Sequence, residues 1–252
     1  MESQGESSQS KRQNIEKPTT VLDLGQDILL GILSKIANES LEDIQNIELI
    51  CKEFGKFANS TFVWQNLSLD NVPLFPNFHV VYAKRFFKFM KACRRAKNPE
   101  AIYRKGLINY FHPASQEKQQ QKGLHQMRQA SGLKNEEAIF VLGMILLCLG
   151  GENYDEGLAV LSPFLQVDTI STLRRKLDIH RSKVQNAWSW WGSNRGKDLK
   201  STYSKRECNC DGRSRSETFG WDRNQPDGDL SIEEACQICI WDQEISKLVE
   251  YL

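Results

Sequence analysis

Apolar residues at helical spacing mark the segment between residues 23 and 69 as a distinct helical unit. The first stripe consists of Ile28, Leu29, Ile32, Leu33 and Ile36. Because these residues recur at three- and four-residue steps, they predict an amphipathic helix. Asp23 stands where it can cap that helix, and Gln26 stands where a capping box has its second member. We therefore expect the helix to begin directly after Asp23.

Two further short helices are predicted in the same segment. Residues 40–43 (SLED) form a helix start signal, and Ile44 and Ile47 continue the apolar face behind it. A third helix begins near residues 51–54 (CKEF), and apolar residues up to Leu67 close the unit. Small helical units bury too little surface to be comfortably stable alone. We therefore expect this unit to dock on another protein.

A basic amphipathic helix is predicted between residues 80 and 96, after a linker that begins at residue 71. Its apolar positions are Phe86, Phe89, Met90 and Cys93. The positions between them are basic: Lys84, Arg85, Lys88, Lys91, Arg94 and Arg95. We favour a helix whose apolar face is buried and whose basic face lies in water; contact with nucleic acid or a membrane is the alternative.

An internal repeat follows, with residues 98–108 echoed by residues 135–145 at an offset of 37 residues. Residues 122–127 are likewise echoed by residues 156–161, at an offset of 34 residues. Small residues stand where two helices of a hairpin can approach closely: Ala101, Gly106, Ala138 and Gly143. A period in the thirties with two helices per unit predicts a helical repeat array. Because two repeats are few, we expect the array to pack against neighbouring helices. Repeats of this kind bind other proteins on an exposed face; the alternative is that the array is only a spacer.

Residues 166–206 combine a predicted helix (169–191) with an excess of basic residues and three tryptophans: Trp188, Trp190 and Trp191. Basic and aromatic residues together suit single-stranded nucleic acid. Without a nucleic-acid-binding motif, however, we favour a solvated basic face, or a surface for an acidic partner protein, and consider nucleic acid an unlikely partner. His180 lies on the apolar line of the helix, where we expect it to be packed.

The tail carries four cysteines as C-x-C and C-x-x-C: Cys208, Cys210, Cys236 and Cys239. Four thiolates are a normal ligand set for tetrahedral zinc, and C-x-x-C is a common half-site. The alternative is an amphipathic C-terminal helix in which these cysteines act as small buried apolar residues. The sequence leaves both open and predicts no other cofactor.

Composition and motifs limit the cellular compartment and the type of activity that we expect of the chain. The 252 residues include seven cysteines, and neither a secretory signal nor a membrane-spanning run is visible, so we expect a reducing compartment, the cytosol or the nucleus. Residues 1–20 are polar and predicted to be disordered. No phosphate-binding loop, nucleophile elbow or zinc-protease motif is present, and the upstream thiols Cys51, Cys93 and Cys148 lie on apolar faces. We therefore predict no enzymatic activity.

The residues from 24 to 64 strongly resemble an F-box. The matching positions are Leu24, Asp27-Ile28-Leu29, residues 32–36 (ILSKI), residues 40–43, Ile47, residues 51–54, Ala58 and Val63-Trp64. The family usually has proline after the leucine, and this chain has Gly25. With the repeats and the late Cys-x-x-Cys-x-Trp, the chain is similar to plant F-box proteins that carry a Sel/TPR-like helical repeat region.

This resemblance implies a substrate-recruiting subunit of an SCF-type ubiquitin ligase, which binds a Skp-type adaptor on a cullin and an unknown target protein. The adaptor contacts it implies are Leu24, Ile28, Ile32, Leu33, Cys51 and Trp64. The alternative is a protein-interaction or nucleic-acid-binding protein whose F-box no longer recruits the ligase.

The expected fold is all-α: a three-helix F-box unit, a short Sel/TPR-like repeat array and a C-terminal helix. The expected division is a tail (1–20), an F-box (21–70), a linker with the basic helix (71–97), repeats (98–165), a basic tryptophan-rich region (166–206) and a cysteine-containing tail (207–252).

Overall fold

The chain is all-α in the computed structural model, as predicted. The structure describes residues Val21, 24–74, 80–112, 114–188, Leu199, 201–203, Cys208, Cys210 and 236–249. These residues form helices, one 3₁₀ turn (Ser162–Leu165) and connecting segments, with no β-strand among them. The predictions for residues 1–20, Asp23, Trp190 and Trp191 lie outside the described residues, and the side chain of Trp188 is not described either.

Eleven helices have bounds that lie within the described residues. They are α1 (Gln26–Glu39), α2 (Leu41–Ile50), α3 (Lys52–Ala58), α4 (Thr61–Gln65), α5 (Val80–Arg95), α6 (Pro99–Phe111), α7 (Glu117–Gly132), α8 (Glu136–Leu149), α9 (Asn153–Leu161), α10 (Ile170–Trp188) and α11 (Gln237–Val249). We call α1–α4 the F-box-like unit. No described helix combines the length and the apolar character that crossing a bilayer requires.

Helix α1 begins later than the sequence suggests. Gly25 is the N-terminal cap residue, and as glycine it has no side chain that could accept a capping hydrogen bond. Its backbone carbonyl accepts the N–H of Ile28 at 3.0 Å. The helix therefore begins two residues later than predicted, and the capping role of Asp23 lies outside the described residues. The cap of α2 is as predicted, since the Ser40 hydroxyl accepts the N–H of Asp43 at 3.1 Å.

The closing segment of the F-box-like unit is a separate helix, α4. It begins after Ser60, whose hydroxyl accepts the N–H of Val63 at 3.3 Å and so starts a new helix after the end of α3. The core of the unit also takes in Met90 and Cys93 from α5. The apolar face of the basic helix is thus buried against the F-box-like unit.

The sequence repeat is a structural repeat down to the helix caps. Asn98 caps α6 by accepting the N–H of Ala101 at 3.0 Å, and Asn135 caps α8 by accepting the N–H of Ala138 at 2.8 Å. The residue before each cap, Lys97 or Lys134, has a positive φ (61° and 63°). Each helix therefore starts from the same tight turn, although lysine rarely adopts that conformation.

Glycines bring the paired helices of the array into close contact. A Cβ atom at Gly123 would lie 2.8 Å from the carbonyl oxygen of Gly106, and a Cβ at Gly143 would lie 2.3 Å from Cγ of Leu161. Both the carbon–oxygen and the carbon–carbon distance are shorter than van der Waals contact allows, so any larger residue at these positions would force its neighbours to move. The small residues of the repeat thus set the spacing of α6 against α7 and of α8 against α9.

Helices α10 and α11 complete the core of the repeats. Leu173 and Leu177 of α10 and Trp241 and Ile245 of α11 belong to the same buried cluster as the repeat helices. His180 is 4% exposed, with its ring stacked 5.9 Å from that of Phe140. The predicted packing of His180 is confirmed, and the repeats lean on the helices that follow them.

Two polar side chains join the F-box-like unit to the first repeat. The Asn98 amide donates to the carbonyls of Trp64 (3.0 Å) and Leu67 (2.8 Å), while also capping α6. The Arg104 guanidinium donates to the carbonyls of Leu69 (2.7 Å) and Val72 (2.6 Å). Because these bonds satisfy backbone carbonyls of the connecting chain, they fix the place where the array begins.

Candidate functional sites: an apolar face and a cysteine cluster

Helix α1 has two apolar stripes that differ by one residue in register. The inner stripe, Leu29, Leu33 and Ala37, is buried in the F-box-like unit. The outer stripe consists of Leu24, Ile28 and Ile32, which are 40%, 57% and 42% exposed. Within each stripe the residues are four apart along the chain, and Leu24, the first residue of the outer stripe, lies just before the helix. The outer stripe therefore faces solvent as a continuous apolar line.

The F-box-like unit has further exposed apolar side chains outside the outer stripe. Leu49 and Ile50 end α2 with 82% and 66% of their surface exposed, and Phe62 of α4 is about half exposed. Among the described residues, seven of the nine exposed large apolar residues lie between Val21 and Phe62. Single exposed apolar residues are ordinary, but such a concentration indicates a surface for a partner.

The predicted adaptor contacts fall into two groups in the structure. Leu24, Ile28 and Ile32 lie on the exposed face, whereas Leu33 is 2% exposed and points into the core. Trp64 is half-buried, with its ring 5.7 Å from that of Phe89, and Cys51 is half-buried at the start of α3. The sequence analysis did not single out Leu49, Ile50 and Phe62 as contacts. Their only signal was an apolar character that does not fit the inner faces of α2 and α4.

The four tail cysteines come together in one cluster. Their Sγ atoms all lie within 4.8 Å of one another. Three of the separations are 2.9 Å (Cys208–Cys210), 3.1 Å (Cys208–Cys239) and 3.5 Å (Cys210–Cys239). Sulfur ligands at about 2.3 Å from a tetrahedral ion are about 3.8 Å apart, so the cluster is close to the size of such a site.

The elements that carry the cysteines explain how the cluster is assembled. Cys236 precedes α11, and its carbonyl accepts the N–H of Ile240 at 3.0 Å, so Cys236 and Cys239 are presented by the first turn of that helix. The segment leading to Cys208 and Cys210 is held nearby, since the Tyr203 hydroxyl donates to the carboxylate of Asp242 at 2.6 Å. Cys239 alone is fully buried. Together the four residues form a thiol cluster that could hold a metal ion.

The cysteines of the molecule differ in acidity. Hydrogen bonds with the Cys210 and Cys239 thiols lower the pKa of Cys208 to about 6, while burial raises the pKa of Cys236. Elsewhere, burial raises the pKa of Cys93 to about 11 and that of Cys148 to about 12. Cys93 and Cys148 are therefore protonated at neutral pH and unsuited to nucleophilic catalysis.

The fold defines the class of protein: a small helical unit with an exposed apolar face, set on a helical repeat array. Residues 72–186, which span α5 to α10, match the family model described as plant tetratrico peptide repeats. Two Arabidopsis thaliana proteins that carry the name F-box protein are also similar to the chain. At1g67623 is 31% identical over 242 residues, which are 93% of this chain and 78% of that protein. At2g35280 is 34% identical over 152 residues, which are 60% of this chain and 87% of that protein.

The chain belongs to the family of plant F-box proteins with TPR-like helical repeats. The resemblance found in the sequence is thereby confirmed. No solved structure matches the chain.

Proposed function

We propose that the chain is the substrate-recruiting subunit of an SCF-type ubiquitin ligase. In this role the F-box-like unit binds a Skp-type adaptor, the adaptor is held by a cullin, and the repeats and tail bind a target protein. The observation that carries the proposal is the exposed outer stripe of α1 in a member of the F-box family, and Leu49, Ile50 and Phe62 are exposed in the same unit.

The predicted contact residues take two roles in this proposal. Leu24, Ile28 and Ile32 touch the adaptor, and burying an aliphatic side chain of this size contributes about 1.5–3 kcal/mol. Leu33 and Trp64 act from inside, because both pack in the core of the unit behind the contact surface. Cys51, which is half-buried at the start of α3, keeps its predicted role as a contact.

In this role the substrate-recruiting subunit supplies no catalytic group for ubiquitin transfer. A target held on the repeats is kept at a high effective concentration near the ubiquitin thioester that the assembly carries, and proximity accelerates transfer. We place this activity in the cytosol or nucleus, in keeping with seven cysteines of which none forms a disulfide.

The rival function is an interaction protein whose F-box no longer recruits the ligase, with Gly25 as the feature in its favour. The backbone at Gly25 has φ −57° and ψ 145°, which is a conformation that proline also adopts. Glycine here keeps the geometry of the family and gives up only its rigidity. This observation favours the ligase subunit over the rival.

Adaptor binding by isothermal titration calorimetry tests the proposal. The double variant Ile28→Ala/Ile32→Ala is expected to weaken binding of a plant Skp-type adaptor by about 30-fold or more, as truncated interface anchors do. The control is Ile179→Ala, because Ile179 is a similarly exposed residue on α10. Absence of binding by the folded wild-type chain, or equal loss in the control, would refute the proposal.

We further propose that the cysteine cluster holds one structural zinc ion. Four sulfur ligands leave no open position, and this is the ligand set of a structural rather than a catalytic zinc site. Such an ion would tie the segment containing Cys208 and Cys210 to the start of α11. The cluster geometry supports this interpretation over that of unrelated buried cysteines.

Metal content measured by mass spectrometry tests the zinc proposal, with the charge-transfer and ligand-field bands of the cobalt(II)-loaded chain as a second readout. We expect one zinc per wild-type chain, loss of zinc in Cys236→Ser/Cys239→Ser, and retention in the control Cys51→Ser. Substantially less than one zinc per wild-type chain would overturn the proposal.

A further inference from the structure

The exposed face of α5 carries a dense row of basic side chains with one aromatic residue among them. Lys84, Lys88, Lys91 and Arg95 are exposed, and Phe87 is exposed beside them. Phe87, Lys91 and Arg94 follow one another at helical spacing along one edge of this face. The opposite face of the helix is buried, so the basic face is free to meet a partner.

The structure adds cations from the first repeat to this edge. Lys105 of α6 and Lys122 of α7 each precede one of the glycines, Gly106 and Gly123, at which the two helices approach most closely. Burial lowers the pKa of Lys105, and the positive charges of Arg94 and Lys122 lower it further. Helix α5 contacts α6, and α6 packs closely on α7, so three helices bring these like charges near one another. We call Lys91, Arg94, Lys105 and Lys122 the basic seam.

The basic seam contrasts with two arginines of the array, each of which is paired with a carboxylate. Arg104 pairs with Glu100 at 2.7 Å, and Arg128 pairs with Glu156 at 2.7 Å. Among the described residues, no carboxylate pairs with any member of the basic seam. Like charges that crowd without a counter-charge repel one another, so a negatively charged partner would gain energy here.

We propose that the basic seam, with Phe87, binds an acidic segment of a partner protein in which aspartate or glutamate residues flank an apolar side chain. The carboxylates would meet the four cations, and the apolar side chain would pack on Phe87. The inference deepens the proposed function, because on that function the partner is the target protein, but the surface itself does not depend on adaptor binding.

A protein segment fits this surface better than nucleic acid does. Binding to single strands relies on several exposed aromatic rings that stack on successive bases, and Phe87 is the one exposed aromatic ring at this surface in the described part of the chain. The seam also lies within residues 72–186, which match a tetratricopeptide-type family. An array of that type is expected to present an exposed face to proteins.

Fluorescence anisotropy with the full chain tests the inference. The probes are a labelled peptide of alternating glutamate and leucine blocks, its glutamine counterpart, and a single-stranded RNA of similar length. The test variant is Lys91→Glu/Lys122→Glu, two exposed positions at which reversal leaves the core intact. The control is Arg85→Glu/Arg175→Glu, which makes the same change in net charge at exposed positions outside the seam.

We expect the acidic peptide to bind in preference to the glutamine peptide, to weaken with added salt, and to lose about tenfold in affinity in the test variant but not in the control. Equal loss in both variants, or no preference for the acidic peptide, would overturn the inference. RNA binding that is tighter than peptide binding and lost in the same variant would also overturn it, in favour of nucleic acid. Adaptor titration of the same variant separates this inference from the proposed function, because Lys91 and Lys122 lie outside the F-box-like unit.

Discussion

The F-box-like unit and the repeat array differ in how much apolar surface they bury. In α1, three of 14 residues are buried, whereas in α8 ten of 14 are buried. Both helices are rich in large aliphatic residues. The array packs its apolar residues against its own helices and against α10 and α11, while the F-box-like unit leaves a row of them in solvent. On the proposed function, a partner covers this row, whereas the array already has its cover within the chain.

The largest difference in stability is expected between alanine variants of two adjacent residues of α1, Leu33 and Ile32. Leu33→Ala should lower the free energy of unfolding by about 2–5 kcal/mol, because it leaves a cavity in the core of the unit. Ile32→Ala should change it by less than about 0.5 kcal/mol, as exposed substitutions do. Urea unfolding followed by circular dichroism measures both. Similar losses would break the division into inner and outer stripes.

The second effect concerns glycines. Gly143→Ala should destabilise the array by about 1–3 kcal/mol, since its Cβ would overlap Leu161. Gly31→Ala should stabilise α1 by about 0.5–1 kcal/mol, because no atom lies within 4 Å of that position and alanine favours helices. Thermal unfolding of the two variants gives opposite shifts if the array is tightly packed and α1 is open. Shifts of the same sign would contradict the comparison.

A third effect extends the comparison to the end of the array. Glu244 of α11 is fully buried, with the Arg181 Nε 3.1 Å from its carboxylate, and burial raises the pKa of Glu244 to about 7. In the unfolded chain this carboxyl has an ordinary pKa near 4.5, so the folded protein holds more protons between the two values. The stabilising contribution of the protonated side chain is present below about pH 4.5 and is lost as the pH rises through 7.

Glu244→Gln removes this pH dependence. As the pH rises from 5 to 8, the free energy of unfolding of the variant should increase relative to that of the wild type by on the order of 1–2 kcal/mol. The control is Glu117→Gln, an exposed carboxylate at the start of α7. Denaturant midpoints measured across this pH range provide the test. Parallel curves for Glu244→Gln and the wild type would show that the carboxylate is not held in a desolvated site.

The smallest effect is expected at Gly25. Gly25→Pro should raise stability by about 0.4–1 kcal/mol, because the backbone conformation suits proline and the unfolded chain loses freedom. The Gly25 N–H donates to no described backbone carbonyl, so nothing in the described structure opposes the change. A lower melting temperature would show that glycine is required there.

The sequence predicted best what local spacing determines. The echo of residues 98–108 in residues 135–145 predicted a helical repeat, and the structure shows that Asn98 and Asn135 cap the two equivalent helices. The four tail cysteines were recognised as one possible ligand set, although their assembly depends on how α11 packs. Spacing could not separate Leu33 from Ile32, because both lie on one broad apolar face and only the neighbouring helices decide which is covered.

Other features depend on tertiary contacts that no spacing reveals. Lys105 and Lys122 join Arg94 only because three helices meet, and they are far apart in the sequence. By its place in an amphipathic helix Glu244 would be expected in solvent, yet it is fully buried and lies against Arg181 of α10. The exposure of Leu49 and Ile50 could not be predicted, because both residues look like a continuation of the apolar pattern of α2. Such residues are the ones at which partner and neighbour contacts, rather than local propensity, determine exposure.

Hydrogen exchange of the chain with and without a Skp-type adaptor tests the central claim most directly, namely that the F-box-like unit is completed by a partner and the array is not. We predict that amides of α1, the end of α2 and α4 become protected on adaptor binding, while those of α6–α9 keep the protection they already have. Unchanged exchange in α1, or protection that appears mainly in the repeats, would contradict the account.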